Sequence, residues 1–432
     1  MSILHVFYEN KKVGSLERDE ELTFSFKYSE EWIKSPSNFP LSLIMPVDEK
    51  TYGNKLTLSF FENLLPEGDV RNALEKSQDV HGDFEFLAKY GRDCAGALVI
   101  TPDENFKQDD KETKLEEISL EKVYKAIEER RPVVDMIAET NSGYLSLAGA
   151  QDKFPIVLKN KKFFMPLNGT PTTHIVKVPI WRNGIKDSVY NEYYCMELAR
   201  AVGFKVPHCF IEKGEHPLYV IERYDRSKDK EGVVHRIHQQ DFCQAQGIVS
   251  EFKYEAKGGP SLKDNYNLIV KNVTASKKFK AINSYLDWVM FNLLIGNNDS
   301  HSKNISFLMI NNKIELAPMY DLISTAIYPK LKREFSFIIG DRDVFSRIGK
   351  NQFELLEVEL DIKKGTLIEV LQKMNDKIMK HKDIVAKEII KEHGRVPIIS
   401  NISKLIEKRS KSLIHQKALS GEMGEAYEED ET

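Results

Sequence analysis

Asp299 and Asn304 stand five residues apart in Gly296-Asn297-Asn298-Asp299-Ser300-His301-Ser302-Lys303-Asn304, and Asp321 follows in Ala317-Pro318-Met319-Tyr320-Asp321. An Asp followed five residues later by an Asn is the spacing of a phosphoryl-transfer loop, in which the acid orients the attacking hydroxyl and the amide oxygen binds magnesium. A second carboxylate must then hold the metal against the nucleotide phosphates, and Asp321 is placed for that role. Taken singly, each piece also reads as an ordinary capping turn; the ordered combination is what points to chemistry.

Such a centre needs elements to present it. Leu286, Val289, Met290, Leu293 and Leu294 recur on one helical face, and Gly296 suits a left-handed C-terminal cap. The β-rich runs Ile305 to Ile310 and Lys313 to Leu316 flank Asn311-Asn312, a pair that accepts positive φ in a tight turn. The order is buried helix, polar loop, hairpin, acid, and the hairpin returns the chain to its start.

The phosphates of a nucleotide require a cation, typically a strand lysine held by a helix glutamate. Lys177 is central in His174-Ile175-Val176-Lys177-Val178, with Glu192 fifteen residues on as its expected partner and Glu197 as the alternative. No three-glycine loop is present. Ser146-Leu147-Ala148-Gly149-Ala150-Gln151-Asp152-Lys153 stands in its place, with small residues that let backbone amides approach phosphate.

The 432 residues allow two or three domains, and 30% charged with 41% hydrophobic residues fits a globular protein rather than a disordered one. Cys94, Cys195, Cys209 and Cys243 form neither a zinc pattern nor a disulfide framework, so buried thiols in a reducing compartment are expected. No apolar run suggests a signal peptide or membrane span, which makes the cytoplasm the expected location. The net charge of −4 gives no overall bias toward nucleic acid. Its distribution is uneven: residues 363–417 carry 14 Lys or Arg against 6 Asp or Glu, whereas Glu428-Glu429-Asp430-Glu431 is acidic. A lysine-rich helical stretch reads first as a solvated face; the sharper reading is a surface that meets DNA beside a partner.

Alternation from Ile3 to Phe26 predicts a small N-terminal sheet, with helices near Phe60-Phe61 and Phe86-Leu87. The charged stretch from Thr101 to about Glu117 reads as a linker, followed by a helix capped by Ser119 and stopped by Arg131-Pro132. Residues 145–225 read as short strands around one helix. Beyond Arg223 helical patterns dominate, apart from the hairpin. The expected division is 1–115, a β-rich subdomain; 116–224, an N-lobe with phosphate loop and lysine strand; and 225–432, a helical C-lobe with the catalytic loop.

With these pieces in view the chain resembles the HipA-type serine/threonine kinases, the toxin half of bacterial toxin–antitoxin pairs. The motifs that carry the resemblance run nearly the full length: Phe61-Glu62-Asn63-Leu64-Leu65-Pro66, Tyr90-Gly91-Arg92-Asp93, residues 146–153, residues 174–179, Glu222-Arg223-Tyr224-Asp225-Arg226, residues 238–245, Tyr254-Glu255-Ala256-Lys257-Gly258-Gly259-Pro260, and the loop and acid above. The resemblance implies an α+β, two-lobed protein-kinase-like fold with an extra N-terminal subdomain, using ATP and magnesium. It implies Asp299 as catalytic base, Asn304 and Asp321 as metal ligands, and Lys177 on the phosphates. Ala148, Gly149, Ala150, Gln151, Asp152 and Lys153 would form the phosphate loop, Glu222, Arg223 and Tyr224 would meet adenine through the backbone, and Gln239, His301, Lys303 and Tyr320 would be further nucleotide contacts. Ser146 would be autophosphorylated, placing a dianion where the nucleotide phosphates belong. Implied partners are a HipB-like helix-turn-helix antitoxin, operator DNA only through that antitoxin, and an aminoacyl-tRNA synthetase, typically the glutamyl enzyme, as substrate. Other readings are a non-catalytic co-repressor, a small-molecule or lipid kinase, and a hydrolytic metal site at Asp299, His301 and Asp321, against which no second His has suitable spacing.

Overall fold

The computed structural model describes residues 2–107, 114–133, 151–167 and 169–416. Ser146, Ala148, Gly149 and Ala150 lie outside the described residues, as does the acidic stretch from Glu428.

Strands β1 Ser2–Tyr8, β2 Lys11–Arg18, β3 Phe24–Tyr28, β4 Thr51–Tyr52 and β5 Leu98–Thr101 form an antiparallel sheet in the order β4-β3-β2-β1-β5. Helices Asn54–Phe61 and Asp83–Tyr90 pack on β3 and β5 and bury Phe60, Phe61, Phe86 and Leu87. The charged linker expected up to Glu117 is shorter, because its end is a strand: β6 Leu115–Glu117 pairs with Pro166, Met165 and Phe164. An edge strand has one side open to water and so tolerates the charges that mimic a linker.

The second sheet adds β7 Lys153–Lys159, β8 Lys162–Pro166, β9 His174–Lys177, β10 Cys209–Glu212 and β11 Leu218–Glu222 in the order β10-β11-β9-β7-β8-β6. Its register decides what each face does. Lys177 pairs with both Lys153 and Tyr219, so these three side chains share one face. The next row, Phe154, Val176 and Val220, points the other way and is fully buried in a core shared with the N-terminal sheet. The N-terminal subdomain therefore shares an apolar interior with the back of the lysine sheet, while Tyr219 on the front belongs to the second core.

That second core is built on helix Ala275–Ile295, whose last eleven residues include Tyr285, Leu286, Trp288, Val289, Met290 and Phe291 among its buried set. Gly296 ends the helix at φ 75°, and a Cβ there would lie 2.8 Å from the Ala326 Cβ. Helices Lys350–Glu359, Thr366–His393 and Pro397–Ser410 complete the lobe. Lys373, Lys377, Lys380, Lys387 and Lys391 are solvent-facing, whereas Lys382 is buried against Glu407 at 2.6 Å.

More strand lies beyond Arg223 than the hairpin alone. β12 Arg226–Lys228 pairs with β13 Val234–Arg236; β14 His238–Asp241, β15 Ser306–Ile310 and β16 Lys313–Leu316 form a three-stranded sheet; β17 Glu334–Ile339 pairs with β18 Arg342–Val344. His238-Gln239-Gln240-Asp241 has no intrinsic strand preference, and it is extended because it pairs with Ser306 to Met309. Asn311 and Asn312 turn the β15–β16 hairpin at φ 49° and 59°.

Candidate active site

The polar loop after Gly296 is fixed nearly atom by atom. Asn297 Nδ2 donates to Asn292 Oδ1 at 2.8 Å, and its own side-chain oxygen accepts from the Asp299 amide at 3.2 Å. Asn298 N–H donates to Thr325 at 2.7 Å, its side chain reaches the Lys332 carbonyl at 3.0 Å, and Ser300 Oγ caps the Asn297 carbonyl at 3.1 Å. Asn298 and Ser300 thus hold the loop's shape. Asn304 Nδ2 donates to the Asp299 carbonyl at 2.9 Å, closing the five-residue spacing into a ring. Within this buried frame the Asp299 side chain is 52% exposed, which leaves its carboxylate reachable from outside. Its Oδ1 accepts a hydrogen bond from the Tyr254 hydroxyl at 2.5 Å.

The acid at the hairpin's far end is drawn to the lysine sheet. Asp321 takes φ 58°, unusual for a residue with a Cβ. Lys177 Nζ lies 2.5 Å from its Oδ1 and 2.7 Å from Glu192 Oε1, and Glu192 comes from helix Ser188–Ala201. Glu197, one turn further, instead pairs with Arg200 at 3.3 Å. Burial by itself would lower the Lys177 ammonium, but Asp321 and Glu192 overcome it and hold lysine charged. Burial likewise acts to raise Asp321, and Lys177 and Lys153 reverse it, keeping the carboxyl well below its usual range. Lys153 has the opposite fate: burial and the neighbouring Lys177 lower it to about 8. Lys177 and Lys153 thus set two ammonium groups beside Asp321 and Glu192, an arrangement in which incoming phosphates could take over part of the pairing.

The remaining expected contacts divide. Tyr224 stacks on Tyr320 with ring centroids 5.3 Å apart and donates to Gln239, while Tyr320 Oη donates to the Lys303 carbonyl at 2.7 Å. These residues form one wall. The amides of Glu222 and Arg223 are already spent on the His208 and Thr173 carbonyls. Arg223 buries its side chain against Asp225 at 2.8 Å and Asp93 at 3.2 Å. Gln151 Nε2 donates to the Val178 carbonyl and Asp152 accepts from Val133 N–H, so both brace the start of β7. Lys303 points toward the N-terminal subdomain, reaching Asn63 Oδ1 at 2.7 Å and Glu67 Oε1 at 3.0 Å.

Tyr254, Asn63 and Glu67 carry no chemical signature in isolation, although each belongs to or adjoins a motif shared with the resembled family. Asp93 is similar: it is buried among Arg223, Arg226 and Arg236, and it ties the N-terminal subdomain to the segment after β11.

The residues fit a magnesium nucleotide. No group of three or more His, Cys, Asp and Glu able to hold a metal occurs among the described residues. Magnesium does not need one, since it takes one or two protein oxygens and completes its shell with phosphates and water. Asp321 supplies a carboxylate, and Asn304, whose nitrogen is engaged by Asp299, has its amide oxygen left for such a role. His301 is buried, lowered to about 4 by that burial, and its Nδ1 has no partner among the described residues.

Comparison with known proteins bears on the chain as a whole. Residues 4–101 match the HipA N-terminal domain model and residues 145–382 the HipA-like C-terminal domain model. A putative kinase, Y4mE of Sinorhizobium fredii, is 35% identical over 369 residues, covering 83% of this chain and 86% of the relative. The serine/threonine-protein kinase toxin HipA of Shewanella oneidensis is 32% identical over 348 residues, 76% of each chain. A solved structure of the Shewanella oneidensis HipA, HipB and operator DNA complex superposes with a TM-score of 0.79 at 26% identity, covering 95% of this chain and 97% of that one. Among the described residues no helix is long and apolar enough to cross a membrane.

Proposed function

The chain belongs to the HipA family of serine/threonine kinase toxins, and from that membership and the geometry above we propose that it transfers the γ-phosphate of ATP, with magnesium, to a protein serine or threonine in the cytoplasm. The observation that carries the proposal is the exposed Asp299 carboxylate on a hydrogen-bonded loop whose Asn297 side chain reaches the Asp321 carbonyl at 3.5 Å, with the anionic Asp321 side chain matched to Lys177. Bound magnesium supplies charge neutralisation at the phosphates. Lys177 and Lys153 add fixed positive charge there, Glu192 aims Lys177, and Asn304 and Asp321 present metal-binding oxygens. Asp299 accepts the hydrogen bond of the acceptor hydroxyl and takes its proton.

The complex of the Shewanella oneidensis relative supports a HipB-like antitoxin as partner here, with operator DNA reached through it. An aminoacyl-tRNA synthetase, the glutamyl type first, is the proposed substrate, and Ser146 the proposed inactivating autophosphorylation site; both rest on the family resemblance. Radiolabelled γ-phosphate transfer by the full chain and by Asp299→Asn, with phosphoproteomics of cells expressing each, tests all three together. Equal incorporation by the two proteins removes Asp299 from its role.

A further inference from the structure

A cleft of about 290 Å³ lies beside the catalytic loop, between the N-terminal subdomain and the C-lobe. Glu62, Glu67 and Arg71 line one wall; Ser250, Lys253 and Tyr254 line the other. The walls are braced across the gap. Ser250 N–H donates to Glu62 at 2.9 Å, Lys253 pairs with Glu67 at 2.6 Å, and Lys303 reaches the same Glu67 from the catalytic loop. Burial by itself would raise Glu67, but Lys303 and Lys253 pull it down to about 2, so the brace stays charged across the neutral pH range.

Tyr254 stands where the cleft meets the loop. Its hydroxyl lies on Asp299, and its ring meets His301 edge-on with centroids 5.1 Å apart. An acceptor hydroxyl must sit within hydrogen-bond reach of the base that takes its proton. The tyrosine hydroxyl therefore occupies a seat on the carboxylate that an acceptor needs, and the same residue lines the cleft.

Resting on the kinase reading, we infer that this cleft receives the acceptor segment of the protein substrate, whose serine or threonine hydroxyl displaces Tyr254 from Asp299. The acceptor oxygen then bonds to the γ-phosphorus, the bond from that phosphorus to the β–γ bridging oxygen breaks, ADP leaves with the electron pair, and the hydroxyl proton passes to Asp299. The volume lies just below the range of roughly 300–1,000 Å³ typical of small-ligand pockets, and the walls combine ion-paired side chains with Pro66, Gly68 and the Tyr254 ring. An extended stretch of polypeptide fits that shape and chemistry. The N-terminal subdomain is then half of the substrate site.

A degenerate serine/threonine peptide library, with ATP and magnesium, tests this on the full chain. Glu251→Trp puts a large ring on the exposed C-lobe lip of the cleft. The KM for the pooled peptides rises by about tenfold or more, equivalent to roughly 1.4 kcal/mol, while the KM for ATP does not move. Tyr254→Phe lowers the peptide KM, because no hydroxyl competes for Asp299. Fluorescence anisotropy of labelled peptide on Asp299→Asn, with and without Glu251→Trp, reads the same loss without turnover. An unchanged peptide KM and affinity in Glu251→Trp overturns the inference. ATP hydrolysis with no peptide bound or phosphorylated overturns it too, with the kinase reading intact; absence of ATP hydrolysis removes that reading and this inference together.

Discussion

Lys303 leaves the catalytic loop one residue before Asn304 and forms an ion pair with Glu67 of the N-terminal subdomain, Nζ to Oε1 at 3.0 Å, with the lysine buried and the glutamate side chain 14% exposed. The same carboxylate holds Lys253 at 2.6 Å. Removing one member of such a cluster leaves charge buried without compensation. Glu67→Ala is expected to cost about 3–5 kcal/mol of unfolding free energy, read by urea denaturation. A loss of only a few tenths would mean the pairs are solvent-screened and do not couple the subdomain to the loop.

Asp299→Asn keeps the shape of the side chain and removes the proton acceptor. Loss of a general base typically costs about 10²–10⁴-fold in rate, and the exposed position of Asp299 implies little change in stability. Phosphate transfer should fall on that scale while the thermal midpoint stays within a degree or two. A variant that unfolds early would assign the residue to structure rather than chemistry.

Lys177 has two carboxylates on one ammonium, so Lys177→Met should do more than weaken nucleotide binding. Asp321 and Glu192 would face each other without the cation, and one of them would take up a proton near neutrality. Titration of ATP into the variant should give at least about a tenfold loss of affinity. Proton uptake on unfolding should also differ from that of the natural chain. Unchanged ATP affinity would place the phosphates elsewhere.

Asp93 lies among Arg223, Arg226 and Arg236 and takes the Thr172 hydroxyl as well. Burial alone would raise its carboxyl, but the three guanidinium groups hold it low. Asp93→Asn should destabilise by about 3–5 kcal/mol, the cost of breaking a buried ion pair. Calorimetry separates this from a local effect: the N-terminal subdomain shares its core with the lysine sheet, so the whole transition should shift rather than split.

The sequence was most legible where spacing alone fixes geometry. Asp299 with Asn304, the Asn311-Asn312 turn and the alternation around Lys177 each depend on a few neighbouring residues, and each local rule agrees with the fold. Tyr254 was not legible as a neighbour of Asp299, because 45 residues separate them and only the packing of Ser250 to Lys257 against the loop brings them together. Lys303 shows a related limit: the resemblance implied a nucleotide contact, and the partners its side chain has in the fold, Asn63 and Glu67, come from a subdomain distant in sequence. β14 shows the same limit, since polar residues became a strand by pairing with β15.

His174 and His238 give the fold an acid-sensitive component. Burial lowers both to about 4, His238 with its Nε2 against the Leu41 carbonyl at 2.9 Å and its ring stacked on Phe39. An unfolded histidine titrates near about 6.5, so between those values the unfolded chain binds more protons than the native one. Their contribution is therefore complete above about pH 6.5 and is lost as pH falls toward about 4, by up to about 1.4 kcal/mol per pH unit for each group. Glu255 and Asp241, raised by burial to about 7 and about 6, act in the opposite sense, because their neutral forms suit the folded state. The clean measurement is a difference. Urea midpoints of the natural chain and of His238→Gln, taken from pH 7.5 to 4.5, should diverge most at pH 7 and converge on acidification; parallel curves would show that His238 does not titrate on unfolding.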